Sequence, residues 1–374
     1  MRVIVVGAGV VGTMHAWHAV ERGHEVVQIE RESEARGASL RNFGQIWVSG
    51  RAGGEELDTA LRARELWEGI GERVPGLGFR ANGSLTLVRN ERERAVAEAA
   101  LARPDAAARG YKLLSADEAR ALNPALRGDF LAGLWCERDA AVEPRTAQLR
   151  LREALLASPR YTFLPGREVR EVVGGSGVRD DHGDVHTGDV VVLATGAWLG
   201  GLVRELAGPD LPVRRVRLQM MQTEALGEPL TTSVADADSF RYYPAYKSPA
   251  LDDLNARQAQ TPTAAAHKMQ LLMVQRKDGG LTIGDTHEYE HPFAFDTVED
   301  PYEHLTEVVE GFLGRPLPKI RRRWAGVYAQ CVDTSRVVHR QQVREGVWLV
   351  TGPGGRGMTC SPAIAEKTAD ELGW

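Results

Sequence analysis

Apolar residues fall in short runs whose spacing alternates between strand-like and helix-like. Val3 to Val6 is an unbroken apolar run, read as a buried strand over 2–6. A glycine-rich turn follows, then a helical stretch over 13–22 and a second apolar run over 25–29 that ends on Glu30. Leu57, Leu61, Leu66 and Ile70 recur at roughly helical spacing and predict a helix over 55–73. Residues 83–88 read as a strand and the Ala/Glu/Arg-rich stretch 91–109 as helical. Ser115-Ala116-Asp117-Glu118 has the form of a capping box, and Asn123-Pro124 ends that helix. A helix is expected over 146–157 and strands over 169–173 and 189–193.

Beyond residue 212 the pattern shifts toward strands, at 217–224, 271–275 and 281–284. Between the first two lies a stretch without clear period, 236–267, which reads as a long irregular segment. The chain closes with a strand over 347–350, a second glycine-rich turn, and a helix over 361–372. No internal repeat is visible.

The first turn is Gly7-x-Gly9-x-x-Gly12, set between a strand and a helix, with Glu30 18 residues after the third glycine. Gly7 permits the tight turn, Gly9 admits a pyrophosphate against the backbone, and Gly12 lets helix and strand pack closely. The helix N-terminus offers amide N–H groups and a positive dipole end to phosphates. Glu30 has the chemistry to accept both hydroxyl protons of an adenosine ribose. An acid there repels a 2′-phosphate and so argues against NADP.

Composition narrows the class. The chain has 374 residues, 43% hydrophobic and 26% charged, enough for two domains and a large core. A net charge of −5 gives no footprint for nucleic acid or an anionic membrane. No apolar run is long enough to span a membrane, and a first strand starting at Arg2 argues against a signal peptide. Cys136, Cys331 and Cys360 are sparse and odd in number, which fits a reducing cytoplasm without a disulfide frame; none has metal-ligand spacing.

Four segments together carry a family resemblance: the opening glycine turn with Glu30, the Ala38-Ser39-x-x-Asn42-x-Gly44 loop, Ala194-Thr195-Gly196-Ala197-Trp198, and the C-terminal Gly-x-Gly-Gly-x-Gly-Met turn. The chain resembles the FAD-dependent amine and amino-acid oxidoreductases over essentially its whole length. The Ser-Leu-Arg-Asn-Phe-Gly-Gln stretch and the Gly-Met-Thr ending make it similar to a bacterial subgroup linked to aminophosphonate catabolism. The resemblance implies an α/β fold: a Rossmann-type FAD domain from discontinuous segments, 1–78, 140–212 and 324–374, with a mixed-sheet α+β substrate domain from 79–139 and 213–323. It implies that FAD is held by Gly7, Gly9, Val10, Val11, Gly12, Glu30 and Arg31. The 38–46 loop would contribute Ala38, Ser39, Asn42, Gly44, Gln45 and Ile46. Val169 would lie by the adenine. Ala194, Thr195, Gly196 and Trp198 would contribute next, and Gly355, Arg356, Gly357, Met358 and Thr359 would aim amides at the flavin pyrimidine carbonyl, where a helix dipole stabilises the reduced, anionic ring.

In that family the flavin carries the chemistry, so no residue need be a strong base, and the protein selects and positions a neutral amine. Three departures matter. Where the amino-acid oxidases place an arginine to grip a carboxylate, this chain has Tyr328, which argues against a plain α-amino acid. Cys331 does not align with the flavin-linking cysteine of sarcosine oxidases, so FAD is expected to be non-covalent. Thr282 stands where sarcosine oxidases carry a lysine that promotes reaction with oxygen, which leaves O2 or another electron acceptor open.

A phosphonate needs several donors. Arg41, Lys268, His287 and Arg356 are the expected substrate-binding cations, with Gln45, Tyr242, Tyr243 and Tyr328 around them; Lys247 and Arg241 are further candidates. Each has a plainer alternative, a solvated charge or structural ion pair for the cations and loop packing for the tyrosines. His15 and His18 on the first helix read as structural, and Cys360 as a small buried residue. Two other readings remain at this point: a glycine-, sarcosine- or secondary-metabolite amine oxidase of the same fold, and a nucleotide-binding subunit or sensor without turnover. An oligomer is compatible with either.

Overall fold

The structure, a computed structural model, describes all 374 residues. It is organised around two sheets. The first has six strands in the order His339–Arg344, Val347–Thr351, Val190–Leu193, Arg2–Val6, Glu25–Glu30 and Tyr161–Pro165, all parallel except the antiparallel edge strand His339–Arg344. The central strands are apolar on both faces because both are covered. Val3 and Val5 pack with Met14, Trp17 and Ile364 of two helices, Val10–Glu21 and Gly357–Leu372, while Ile4 and Val6 pack with Val169, Val172 and Val178 of a small antiparallel sheet on the other side.

The second sheet has eight strands in the order Ile320–Cys331, Val213–Ala225, Gly280–Gly284, Leu272–Gln275, Ser233–Asp236, Ser84–Val88, Ala132–Cys136 and Tyr111–Ser115. It is antiparallel except where Ser233–Asp236 runs parallel to Ser84–Val88. The strand Ile320–Cys331 pairs along its length with Val213–Ala225, so a boundary at residue 324 cuts through a strand of this sheet. The change of sheet falls after Cys331.

Local signals account for most elements. Ser115 accepts from the Glu118 amide while Glu118 accepts from the Ser115 amide, the reciprocal capping box expected there. The stretch 91–109 is two helices, Glu91–Leu101 and Ala106–Arg109, interrupted at Pro104. The stretch 236–267 is not irregular. It holds Asp238–Tyr242, a single 3₁₀ turn Pro244–Tyr246, Pro249–Arg257 and Pro262–Ala266. Ser248 and Thr261 cap the last two, each followed by proline at the first helical position.

The first helix begins at Val10, three residues before the predicted start, and the last begins at Gly357, four residues before it. Both shifts bring glycine-turn residues into a helical first turn. His15 and His18 are buried on the first helix, bonded to the Val11 carbonyl at 2.7 Å and the Pro362 carbonyl at 3.0 Å. No helix is long and apolar enough to cross a membrane.

A buried clamp fixes the segment between the two sheets. Asp139 accepts from the Val48 and Ser49 amides at 2.6 and 2.9 Å and from the Ser49 and Ser84 hydroxyls at 2.7 and 2.6 Å. From the other side, Arg109 donates to the Val48, Ser49 and Arg51 carbonyls at 3.0, 2.9 and 2.7 Å. Both side chains are fully buried. The loop segment between them therefore has N–H groups taken by one residue and carbonyls by another.

Candidate functional site

One cavity of about 920 Å3 is lined by residues of both sheets. At one end lie Glu30, Arg31, Val169 and Trp198, and at the other Tyr242, Tyr243, His287 and Tyr328. The two glycine turns flank the space between.

The first turn is built for close approach. A Cβ on Gly7 would sit 2.4 Å from the Ala194 carbonyl oxygen, and one on Gly12 would sit 2.1 Å from the Gly7 oxygen. Gly12 does not line the cavity; its role is to let the helix meet the strand. Gly9 does line it, and a Cβ there would meet only Ser39 Oγ, at 3.2 Å. Ser39 Oγ accepts the Val10 amide at 2.8 Å, and the first-turn amides of Val11 and Gly12 have no intrahelical acceptor. Glu30 is held by the Ala8 amide at 2.8 Å and the Glu32 amide at 3.1 Å, which leaves lone pairs for hydroxyl donors. Beside it the Arg31 guanidinium stacks over the Trp198 ring at 4.5 Å.

Within the 38–46 loop the roles divide. Ala38, Ser39, Asn42 and Gln45 line the cavity. Asn42 also folds the loop, donating to the Ala38 and Ser39 carbonyls and accepting from the Gly44 amide at 2.6 Å. Gly44 and Ile46 do not reach the cavity. Gly44 has φ +68° and no room for a Cβ, which would lie 2.2 Å from the Val142 oxygen, and Ile46 is core. Both support the loop rather than face a ligand.

At the second turn the amides of Gly357, Met358 and Thr359 form the first turn of the last helix and line the cavity. The Thr359 hydroxyl accepts the Trp47 amide at 2.9 Å and donates to the Gln45 carbonyl at 3.3 Å, tying this helix to the short strand Gln45–Ile46 and the residue after it. Gly355 has open space where a side chain would point; the nearest atom to a Cβ there is the Tyr328 hydroxyl, at 4.0 Å.

The two paired strands Val213–Ala225 and Ile320–Cys331 present Arg214, Leu218, Met220, Gly326, Tyr328 and Gln330 to the cavity, even-numbered positions on one face. Tyr242, Tyr243, His287 and Tyr289 close this end, with the His287 and Tyr242 rings stacked at 4.2 Å. Burial pushes the Tyr242, Tyr243 and Tyr328 hydroxyls well above the usual phenol range, so all three remain neutral donors.

The expected cations divide sharply. Arg41 lines the cavity, bonded only to the Arg36 and Ala325 carbonyls. Arg356 lines it too, but its guanidinium is spent on the Pro353, Thr334 and Arg336 carbonyls and on Glu56 at 3.4 Å. It is a buried structural clamp rather than an anion receptor. Lys268 is exposed and does not line the cavity; its ammonium lies over the outer part of the site, 4.8 Å from the Tyr289 ring centre. Arg241 is occupied by Asp238 at 3.0 Å.

Cations that line the cavity without a carboxylate partner are Arg41, Arg214, Arg215 and Lys247. Arg214, which sequence reasoning missed, stacks over Tyr289 at 4.4 Å and donates to Gln330 at 3.0 and 2.8 Å. Its signal was its even register on a strand facing a tyrosine. Also missed were Asp285 and Gln270, buried and facing the cavity.

The residues present fit a flavin dinucleotide. The cradle runs continuously from a ribose-accepting carboxylate, past a helix N-terminus beside glycines, to a second helix N-terminus. Gly9, Gly196 and Gly355 line it, and a Cβ at Gly196 or Gly355 would project into open space. The Gln45 Nε2 donor is buried without a partner and faces the same space. None of the three cysteines lines the cavity.

Comparison with known proteins agrees with this geometry. The family model described as FAD dependent oxidoreductase matches residues 2–371. The glycine oxidase of Pseudomonas aeruginosa is 26% identical over 386 aligned residues, covering 99% of this chain and 94% of that one. Among solved structures, the L-proline dehydrogenase of P. horikoshii superposes with a TM-score of 0.79 at 22% identity, over 99% of this chain and 92% of the other. The glycine oxidase of Bacillus cereus superposes at 0.78 and 18% identity, over 100% and 94%. At such identities the superpositions establish the shared fold. With nearly every residue matched by the family model, and a cradle shaped for the cofactor, the chain belongs to the FAD-dependent oxidoreductases.

Proposed function

We propose that the protein oxidises the C–N bond of a small amine by hydride transfer to non-covalently bound FAD, and that the amine carries a phosphonate, as in 2-aminoethylphosphonate or its N-methyl derivative; the imine so formed takes up a water molecule and gives an aldehyde and ammonia or the released amine. FAD, when bound, supplies the hydride acceptor. The chain's own residues bind the acid group, orient the C–H bond and exclude water. One observation supports the substrate reading: Arg214, Arg215 and Lys247 line the cavity without carboxylate partners, beside Tyr328, which the family resemblance aligns with a carboxylate-gripping arginine. A dianionic tetrahedral group, displaced from the amine by one more carbon than a carboxylate, suits several separated donors better than one planar fork. Thr282 is buried in the sheet and does not line the cavity, so it does not bear on the choice of electron acceptor.

A second reading, a carboxylate amine such as glycine or sarcosine, is favoured by the full-length similarity to a glycine oxidase. One experiment separates them. The holoprotein is titrated anaerobically with 2-aminoethylphosphonate, its N-methyl derivative, glycine, sarcosine and D-alanine while the oxidised-flavin absorption is followed. Bleaching by the phosphonates alone supports the first reading; bleaching by the carboxylates alone replaces it with the second.

A further inference from the structure

Two buried acceptors without partners sit side by side in the cavity wall. Gln270 and Asp285 exchange backbone hydrogen bonds at 3.0 and 3.5 Å, so they stand directly opposite each other and their side chains share a face. Both line the cavity, at 2% and 5% exposure. Gln270 donates its amide N–H to the Tyr243 hydroxyl at 3.2 Å, which leaves its Oε1 unpaired. Asp285 Oδ1 is unpaired as well. Unmet acceptors at this depth are costly, and a pair of them on a ligand cavity calls for a ligand with two N–H donors.

His287 completes the arrangement. Its Nδ1 lies 3.0 Å from the Lys268 carbonyl, an acceptor only, so Nδ1 carries the hydrogen. Nε2 faces Asp285 Oδ2 at 3.9 Å, too long for a hydrogen bond and short enough for strong electrostatic coupling. Stacking on Tyr242 fixes the ring plane.

We infer that Asp285, seconded by Gln270, is the receptor for the substrate's ammonium group and takes its proton to deliver the neutral amine. This rests on the amine reading above and assigns the end of the substrate that the cations do not hold. The step balances without a further reagent. One N–H bond of the ammonium breaks, an O–H bond forms on the carboxylate, and the electron pair stays on nitrogen. In water the transfer is uphill by about 6.5 pKa units, from an alkylammonium near 10.4 to a carboxyl near 3.9. Burial narrows that gap from both sides, because the transfer turns two charges into none in a poorly solvated space.

The surroundings favour the same direction. Desolvation raises the Asp285 carboxyl, with His287 and the Gln270 amide opposing it. The other titratable groups near it are Tyr242, Tyr243, Tyr289 and Tyr328, from three different segments, and all are hydroxyls held neutral by burial. No lysine or arginine pairs with Asp285; the cations nearby stand over the surrounding tyrosines, Arg51 over Tyr243, where it is itself tied to Glu56, and Arg214 and Lys268 over Tyr289. An incoming ammonium therefore meets a carboxylate that no fixed cation has already neutralised.

The test uses the FAD-loaded protein and two readouts. The first is binding of permanently cationic analogues that cannot be oxidised at an N–H, 2-(trimethylammonio)ethylphosphonate and glycine betaine, followed by perturbation of the oxidised-flavin spectrum. The second is the pH profile of anaerobic flavin reduction by the matching amine. In Asp285→Asn the better-binding analogue is expected to lose at least about tenfold in affinity, and the apparent pKa for reduction to move up by one unit or more. Asp285→Glu is expected to recover part of both. Gln270→Leu keeps the carboxylate and loses one N–H acceptor, so it leaves binding of the N–H-free analogues near wild type but weakens binding of the amine itself about threefold to fivefold, read from the concentration dependence of anaerobic flavin reduction; it serves if Asp285→Asn fails to hold FAD.

Analogue affinity within twofold of wild type together with an unshifted pH profile in Asp285→Asn, or amine affinity unchanged in Gln270→Leu, overturns the assignment. The two proposals fail separately. If no amine bleaches the wild type but analogue binding is lost in Asp285→Asn, the cation receptor stands and the oxidation reading falls. If amines bleach wild type and variant alike, the reverse holds.

Discussion

Removing the Asp139 carboxylate tests whether the buried clamp organises the cavity wall. In Asp139→Ala the Val48 and Ser49 amides lose their acceptor in a fully buried position, while the Ser49 and Ser84 hydroxyls rotate to other partners. Two orphaned amides cost about 1–3 kcal/mol each, offset in part because a buried charge is removed as well; the expected net loss is about 3–4 kcal/mol. Asp139→Asn keeps a carbonyl oxygen for both amides and turns its NH2 toward two hydroxyls able to accept, so about 1–1.5 kcal/mol is expected. Urea unfolding followed by tryptophan fluorescence reads the difference; with a slope on the order of 3 kcal/mol per M, the alanine midpoint falls by about 1 M and the asparagine midpoint by less than half that. Because the clamped segment carries Trp47 and Arg51 into the cavity, the alanine variant should also release FAD more readily. Equal losses for the two variants, or a loss under about 1 kcal/mol for alanine, would refute the hydrogen-bond account.

Three further outcomes follow from the geometry. Glu30→Ala leaves the Ala8 and Glu32 amides unpaired and removes the ribose acceptor, so the FAD dissociation constant of the apoprotein should rise about tenfold or more by fluorescence titration; an unchanged constant removes Glu30 from the cradle. Gly355→Val fills space that points at the Tyr328 hydroxyl, 4.0 Å beyond a Cβ, and should lower FAD occupancy with little change in the melting temperature of the apoprotein; normal occupancy would mean the cofactor does not pass there. His15 is buried with its Nε2 unpaired, and desolvation lowers its pKa from 6.5 to about 4. Between those values the unfolded chain binds a proton that the folded one excludes, so stability falls as pH drops through that window, by about 3 kcal/mol in all. His15→Asn should flatten that part of the stability-against-pH curve; the same slope in the variant would assign it to other groups.

The cofactor cradle was legible because its determinants are local. Gly7, Gly9, Gly12 and Glu30 fall within one strand–turn–helix–strand unit, and the second glycine turn, though far along the chain, is a compact signal of its own. The substrate end was only partly legible. Tyr242, Tyr243, His287 and Tyr328 lie where the sequence placed them, on the cavity. Asp285 and Gln270 act through a cross-strand register that no single segment displays. Arg214 needed the knowledge that even positions of its strand face inward. Arg356 misled for the opposite reason: it lines the cavity as expected, but three backbone carbonyls and Glu56 have already claimed its guanidinium. The helices within 236–267 did carry readable signals, Ser248-Pro249 and Thr261-Pro262, but each is too short for apolar periodicity to register.

The order of strands in the six-stranded sheet bears on how the protein is made. Val190–Leu193 lies between Arg2–Val6 and Val347–Thr351, so one of its two neighbours is made only after every strand of the eight-stranded sheet. Until then the first strand and helix emerge from the ribosome with one flank of their sheet bare and without the last helix against which His18 is bonded. The eight-stranded sheet has all its strands by Cys331, and so can be complete while the other is still open. Until Val347–Thr351 is made, the Val190–Leu193 strand has a bare parallel edge, and the second glycine turn of the cofactor cradle is missing as well, so both the sheet and the cradle close only when residues 347–359 join them.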